Sequence, residues 1–182
     1  MRKARRLQVL RIALTAGLFA GGCFLGVQAV LAAWQGQPPG QIFDLFAAPL
    51  LGDAAAVGTQ GPGAGSFFLG IGLHFALSAT FGLLYGALIS RMRRAAQDRF
   101  AIQLPAGIAF GALLWAVNLE LVGRFFFPQL AALGSGTQLF AHAFAFGLPL
   151  GWFCCLKLRD AEVPGVHAFR HRIQDAAGEI LP

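Results

Sequence analysis

Four long apolar segments of this chain each carry a polar side chain where a membrane helix usually has none. The residues are Gln28, His74, Asn118 and His142, and Glu120 follows close behind the third of them. Polar and ionisable groups are costly inside a lipid bilayer, so they usually face the interior of a helix bundle and mark a site. At 1.5 Å per residue they lie roughly 6–10 Å from the same ends of their segments, which places them in one layer.

This polar layer is compatible with several kinds of chemistry. His74 and His142, on different helices, are candidate ligands of haem b iron or of a metal ion. A histidine and a carboxylate can also relay protons or bind the polar head of a small ligand. Alternatively, the side chains hydrogen-bond to one another and fix the packing of the helices. The whole layer is therefore the candidate ligand-binding site, and no catalytic residue is predicted.

The composition identifies lipid as the solvent of these helices. The 182 residues are 57% hydrophobic and 12% charged, whereas a soluble domain usually has about 25% charged residues. Each apolar segment has about the 20 residues that a helix needs to cross a bilayer. We predict an all-α integral membrane protein with a four-helix transmembrane bundle. Its membrane domain covers 1–158, with helices at 12–34, 67–90, 102–122 and 138–156, and a cytoplasmic tail covers 159–182.

The basic residues predict how the chain is oriented. Of 14 lysines and arginines, all but Arg124 precede the first segment, separate the second from the third, or follow the fourth. By the positive-inside rule, both termini are cytoplasmic, as in a multi-pass protein of a bacterial inner membrane. The charges flank the membrane segments and form no separate basic face, so the lipid bilayer is an expected partner and nucleic acid is not.

The two halves of the chain resemble each other. An offset of 90 residues aligns Gly17 with Gly107, Gly21 with Gly111, and Gln28 with Asn118. His74 and His142 open the second segment of each half, and a Phe-Gly pair follows each, although the two spacings differ by three residues. Because the first and third segments run in the same direction, we predict two parallel pseudo-repeat hairpins related by an axis along the membrane normal.

Other features predict how the bundle packs. Pairs of glycines four residues apart occur in all four spans and favour close helix contact in lipid; they include the pair Gly22 and Gly26. Two short apolar segments, 41–52 and 124–134, contain proline and are too short to cross a bilayer. They are predicted to be interfacial helices that cover the outer end of the bundle.

Several short motifs resemble one known family. The second segment reads His74-x3-Ser78-x6-Tyr85, and His142 opens the fourth before an aromatic-rich run. Together with the Phe- and Pro-rich outer segments, this pattern resembles the YagU-like family of small four-helix inner-membrane proteins. That resemblance implies the fold and the importance of both histidines, but it brings only a suggested link to acid resistance. The family has a histidine near the position of Asn118, and this departure weakens a metal or haem role carried over from it.

The expected function is non-enzymatic. No nucleotide-binding loop, zinc-protease motif or catalytic triad is visible. Four glycine-faced helices bury little surface by themselves, so we expect a small homo-oligomer or an accessory subunit of a larger membrane complex, with a polar pocket in the outer leaflet. Two alternatives stay open: a haem-b electron-transfer protein that uses His74 and His142, and a minimal transporter or proton-handling protein.

Overall fold

The structure of this chain, a computed structural model, describes residues 2–38, 40–51, 64–127 and 134–161. All regular secondary structure in these ranges is helical. We number the helices α1 to α6 in chain order: Arg2–Trp34, Gln41–Leu51, Ala64–Ile89, Arg94–Gln97, Phe100–Phe126 and Ser135–Asp160.

Helices α1, α3, α5 and α6 are long and apolar enough to cross a membrane. The predicted all-α architecture with four long apolar helices is thereby confirmed. Each helix extends beyond its apolar segment, and α1 begins at Arg2 rather than at residue 12. The extension at the beginning of α1 follows from its flanking residues, because Arg, Lys, Ala and Leu favour helix whether or not they lie in lipid.

The short outer segments differ from each other. The first forms a separate helix, α2, over Gln41–Leu51, close to the predicted 41–52. The second was predicted over 124–134, but Arg124–Phe126 continue α5 without a break. Residues 128–133 lie outside the described ranges, as do residues 162–182, which make up most of the predicted cytoplasmic tail.

Glycines bring the long helices together in pairs. A Cβ atom at Gly17 of α1 would lie 2.8 Å from the Cα of Gly82 of α3. Likewise, a Cβ at Gly107 of α5 would lie 3.0 Å from the Cα of Gly151 of α6. At such distances the two backbones touch, as in the small-residue contacts that associate helices in lipid.

The order of helix contacts leaves one side of the bundle less tightly packed. Helix α1 packs against α3 and α6, and α6 packs against α5. Rings of Phe19 and Phe153 meet across the α1–α6 contact, with centroids 5.2 Å apart. Helices α3 and α5 complete the ring of four but make few backbone contacts. We call the α1–α6 contact the closed seam and the α3–α5 boundary the open seam.

A buried polar cluster joins α3 to α5 at the basic end of the bundle, where α1 begins and α6 finishes. The Tyr85 hydroxyl donates to Oε1 of Gln103 at 2.7 Å, and Nε2 of Gln103 donates to the Ala96 carbonyl at 3.2 Å. Nearby, Nε2 of Gln97 donates to the Ile89 carbonyl at 3.0 Å. Both glutamines are buried. This basic-end cluster also fixes the short connection that carries α4.

Helix α2 lies against α3. A Cβ at Gly70 of α3 would lie 3.1 Å from the Cα of Phe43 and would overlap its carbonyl group. The absence of a side chain at Gly70 therefore lets α2 rest on α3. From this position α2 covers the end of the bundle opposite the basic residues.

Candidate functional site

A cavity of about 350 Å³ lies at the end of the bundle opposite the basic residues. Its walls are mostly apolar and include the phenylalanines Phe24, Phe46, Phe81, Phe127 and Phe146. Every long helix contributes polar lining: Gln28, His74, Ser78, Asn118, Gln138 and His142. The structure thus brings four of the five predicted site residues to one cavity: Gln28, His74, Asn118 and His142.

The cavity reaches the molecular surface along the open seam. Leu77 of α3 and Val122 of α5 line it and are also 44% and 37% exposed. Leu50 of α2 lines it as well and is 62% exposed. Because exposed lining residues come from all three helices, the opening lies between α3 and α5 and beneath α2.

Gln28 and Gln138 form a reciprocal pair across the closed seam. Nε2 of Gln28 donates to Oε1 of Gln138 at 2.7 Å, and Nε2 of Gln138 donates back to Oε1 of Gln28 at 3.3 Å. Both side chains are 4% exposed. Sequence reasoning found Gln28 but missed Gln138, because Gln138 stood at the edge of its predicted span, where a polar residue needs no explanation. Its place four residues before His142 was the available signal.

His74 ties α3 to its neighbours. Its Nε2 lies 2.9 Å from the Gly21 carbonyl oxygen of α1. A carbonyl oxygen only accepts, so Nε2 carries the proton, and in the neutral ring Nδ1 keeps a lone pair. The imidazole stacks with both Phe24 and Phe46, with centroid distances of 5.8 and 5.0 Å. One hydrogen bond and two aromatic contacts, from α1 and α2, therefore hold the ring in place.

His142 is held by its own helix. Its Nδ1 lies 2.8 Å from the Gln138 carbonyl oxygen, one turn earlier. By the same reasoning Nδ1 is the donor, and Nε2 of the neutral ring is left as a lone-pair acceptor. The ring meets Phe24 edge-on, with centroids 4.8 Å apart. The two histidines thus line one cavity, but only His74 uses its side chain to bridge two helices.

Asn118 and His142 both lie where a long helix widens into a π-helix. The π segments are Ala116–Gly123 in α5 and Ala141–Gly147 in α6. Such segments are rare and frequently occur at functional sites. Asn118 is half-buried and lines the cavity, and within the described ranges its carboxamide has no hydrogen-bond partner. The α5–α6 pair therefore supplies two polar groups, the Asn118 carboxamide and Nε2 of His142, that internal bonds do not use.

Glu120 lies at the predicted depth but outside the cavity lining. Its Oε1 accepts a hydrogen bond from Oγ of Ser135 at 2.5 Å, which links α5 to the beginning of α6. Residues two apart on a helix point to different faces, so Asn118 and Glu120 separate. The cavity consequently has no carboxylate among its described lining residues.

Each histidine keeps one free ring nitrogen, but the described residues around them offer haem or a metal ion little else. Axial haem ligation requires a free nitrogen from each imidazole, and the hydrogen bonds to the Gly21 and Gln138 carbonyls leave Nδ1 of His74 and Nε2 of His142 for that role. The lining residues that the structure describes include no arginine or lysine to pair with haem propionates. In the described ranges, no three His, Cys, Asp or Glu side chains come together as a metal site.

Comparison of the chain with protein-family models, with curated proteins and with solved structures found no match.

Proposed function

We propose that this chain is a non-enzymatic, multi-pass protein of a bacterial-type inner membrane that holds a small lipid-soluble molecule in its cavity. It acts as an accessory subunit of a larger membrane complex or as a small homo-oligomer. The observation that carries the proposal is the cavity itself, which has apolar walls and a few polar groups from all four long helices. Binding sites for small molecules have this character.

The orientation follows from charge. Basic residues cluster where α1 begins, around α4, and where α6 finishes, so that end faces the cytoplasm by the positive-inside rule. The cavity then lies in the outer leaflet. A reporter fused after Leu158 should be active in the cytoplasm, and a periplasmic signal would overturn this topology.

The cavity chemistry supports binding rather than catalysis. Nucleophilic catalysis needs a nucleophile within hydrogen-bond reach of a base. Ser78 is the hydroxyl among the described lining residues, and it makes no hydrogen bond to either histidine there. The described lining also lacks the carboxylate that would orient such a base.

Corresponding contacts support the proposed pseudo-repeat. Gly17 meets Gly82 as Gly107 meets Gly151. These contacts make Gly151 the residue equivalent to Gly82, whereas the two Phe-Gly pairs of the sequence suggested Gly147. In this register the residue equivalent to His74 is Ala143, so His142 stands one residue too early. The π segment of α6 has more residues per turn than an α-helix, and it accommodates this one-residue difference. The short motifs around His74, Ser78, Tyr85 and His142 are the basis for proposing membership of the YagU-like family.

An exposed pair of glycines supports self-association. Gly22 and Gly26 of α1 lie on the surface, with no atom of a neighbouring helix within 4 Å of a built Cβ. Within the described ranges they make no close contact, unlike Gly17. A second copy packed there would use them in the usual small-residue manner. Gly22→Leu should weaken crosslinking between copies, with Gly72→Leu, another exposed position with open space, as the control.

Native mass spectrometry of the detergent-solubilised protein tests whether the cavity holds a molecule. We expect a bound adduct in the wild type and its loss in Leu77→Trp, which fills the opening. Leu84→Trp is the matched control, since Leu84 is on the same helix and 51% exposed but does not line the cavity. An adduct that survives Leu77→Trp would contradict binding in the cavity.

A further inference from the structure

The opening of the cavity indicates how a ligand would enter. It lies between α3 and α5, where Leu77 and Val122 are exposed, along the side of the bundle rather than through its cytoplasmic end. In a membrane this side faces acyl chains. A molecule that enters there must dissolve in lipid and can leave an apolar tail in the bilayer.

The walls favour an aromatic ring. Phe24 and Phe46 already stack with the His74 ring, and Phe81, Phe127 and Phe146 also line the cavity. Aromatic side chains pack well against other rings in stacked and edge-on geometries. A protein cavity of about 150 Å³ can hold benzene, so about 350 Å³ accommodates a substituted ring and the beginning of its side chain.

The polar groups indicate which substituents the ring carries. Nδ1 of His142 donates to the Gln138 carbonyl, so Nε2 is left to accept a hydrogen bond from a ligand O–H. Asn118 offers both a donor and an acceptor. The described lining has no lysine, arginine or carboxylate to pair with an ionised head group, and an unpaired charge is costly in lipid. The head group should therefore be neutral and hydroxylated.

The geometry points to a lipid-soluble phenol or quinol as the ligand of this cavity, with a ring hydroxyl that donates to Nε2 of His142. This inference rests on the proposed function, because it names the class of molecule that the proposed pocket takes. Asn118 contacts the ring oxygens from the neighbouring helix, α5. A phospholipid is the less favourable occupant, since no described cationic side chain would meet its phosphate.

Three probes with the same decyl chain test the assignment by calorimetric titration in nanodiscs under anaerobic conditions. They are 6-decyl-2,3-dimethoxy-5-methyl-1,4-benzoquinol, its O,O-dimethyl ether, and decylbenzene. The ether retains the ring but has no O–H donor. The quinol should bind about tenfold more tightly than the ether, which is the effect of about one hydrogen bond in an apolar site.

Substitution of His142 locates that hydrogen bond. His142→Phe keeps a planar ring but removes the acceptor, so quinol binding should weaken about tenfold while binding of the ether stays unchanged. Unchanged ether binding also shows that the variant is folded. Asn118→Leu provides a second variant and should weaken quinol binding as well. Equal affinities for quinol and ether, or quinol binding that is insensitive to both substitutions, would overturn the ligand class.

Decylbenzene separates this inference from the proposed function. Suppose that it binds the wild type and not Leu77→Trp while the quinol shows no advantage. The pocket then stands and the phenol or quinol assignment fails. If no probe binds, and wild type and Leu77→Trp both lack a native adduct, the proposed pocket fails together with the assignment.

Discussion

The closed and open seams would be equivalent if the two halves of the chain were perfect repeats, yet they differ at both ends. The closed seam carries the Gln28–Gln138 pair at the end opposite the basic residues, and small buried residues, Ala13 and Cys154, contribute to the core at its basic end. The open seam has its polar bonds at the basic end, where Tyr85 meets Gln103. Its other end is the cavity.

One small residue accounts for much of this difference. When His74 and His142 are aligned, Gln138 corresponds to Gly70. In the closed seam, Gln138 bonds to Gln28; in the open seam, Gly70 offers Asn118 no amide partner, and α2 occupies the space beside it. The unpaired carboxamide and the cavity thus arise at the same place. Polar groups that hydrogen-bond to one another stabilise the packing of the helices. Polar groups that lack a partner and line a cavity are suited to bind a ligand.

The largest expected effect comes from breaking the basic end of the open seam. Tyr85 is 2% exposed, and its ring packs against Phe110 with centroids 5.3 Å apart. Tyr85→Ala removes this packing together with the bond to Gln103, so the free energy of unfolding should fall by about 3–5 kcal/mol. Reversible unfolding by SDS in mixed micelles measures it.

Tyr85→Phe is the control for that experiment, because it keeps the ring and deletes the hydroxyl. It should cost about 1 kcal/mol, since Oε1 of buried Gln103 loses its donor. If Tyr85→Ala costs no more than Tyr85→Phe, packing at the basic end does not hold α3 to α5.

The next effect concerns the glutamine pair in the closed seam. Gln28→Leu leaves Gln138 buried without its partner and should cost roughly 1–2 kcal/mol, as should Gln138→Leu. The double variant removes both groups and should cost less than the sum of the single variants. Additive losses in the same unfolding assay would show that the two amides do not stabilise each other.

The sequence predicted those features that depend on local pattern or on the cost of a polar group in lipid. Apolar stretches located all four long helices, and that cost singled out Gln28, His74 and His142. Gln103 and Gln138 were missed because each lies near a span boundary, where polar residues are ordinary. Glu120 was assigned to the layer by its depth along the helix, although its face directs it to Ser135.

The cavity could not be predicted from local pattern. It lies where α3 and α5 separate, at the end of the bundle opposite Tyr85. That separation depends on how the four long helices and α2 pack together. The π segments were also missed, since no simple residue pattern distinguishes a π turn from an α turn. The proposed repeat contained one useful hint, the difference of three residues in the spacing after the two histidines. Glycine contacts were needed to reduce that difference to a single residue.

The smallest effect on stability is expected at Asn118, and it makes the sharpest contrast with its counterpart Gln28. Asn118→Leu removes no hydrogen bond among the described residues and adds apolar surface to an apolar cavity. The free energy of unfolding should change by less than about 0.5 kcal/mol, measured as for Gln28→Leu. A loss above about 1 kcal/mol would mean that Asn118 has a structural partner, and the open seam would then be satisfied in the same way as the closed one. If Asn118→Leu leaves the free energy of unfolding unchanged and weakens quinol binding, the two seams have different roles. The polar residues of the closed seam then stabilise the fold, and Asn118 in the open seam binds a ligand.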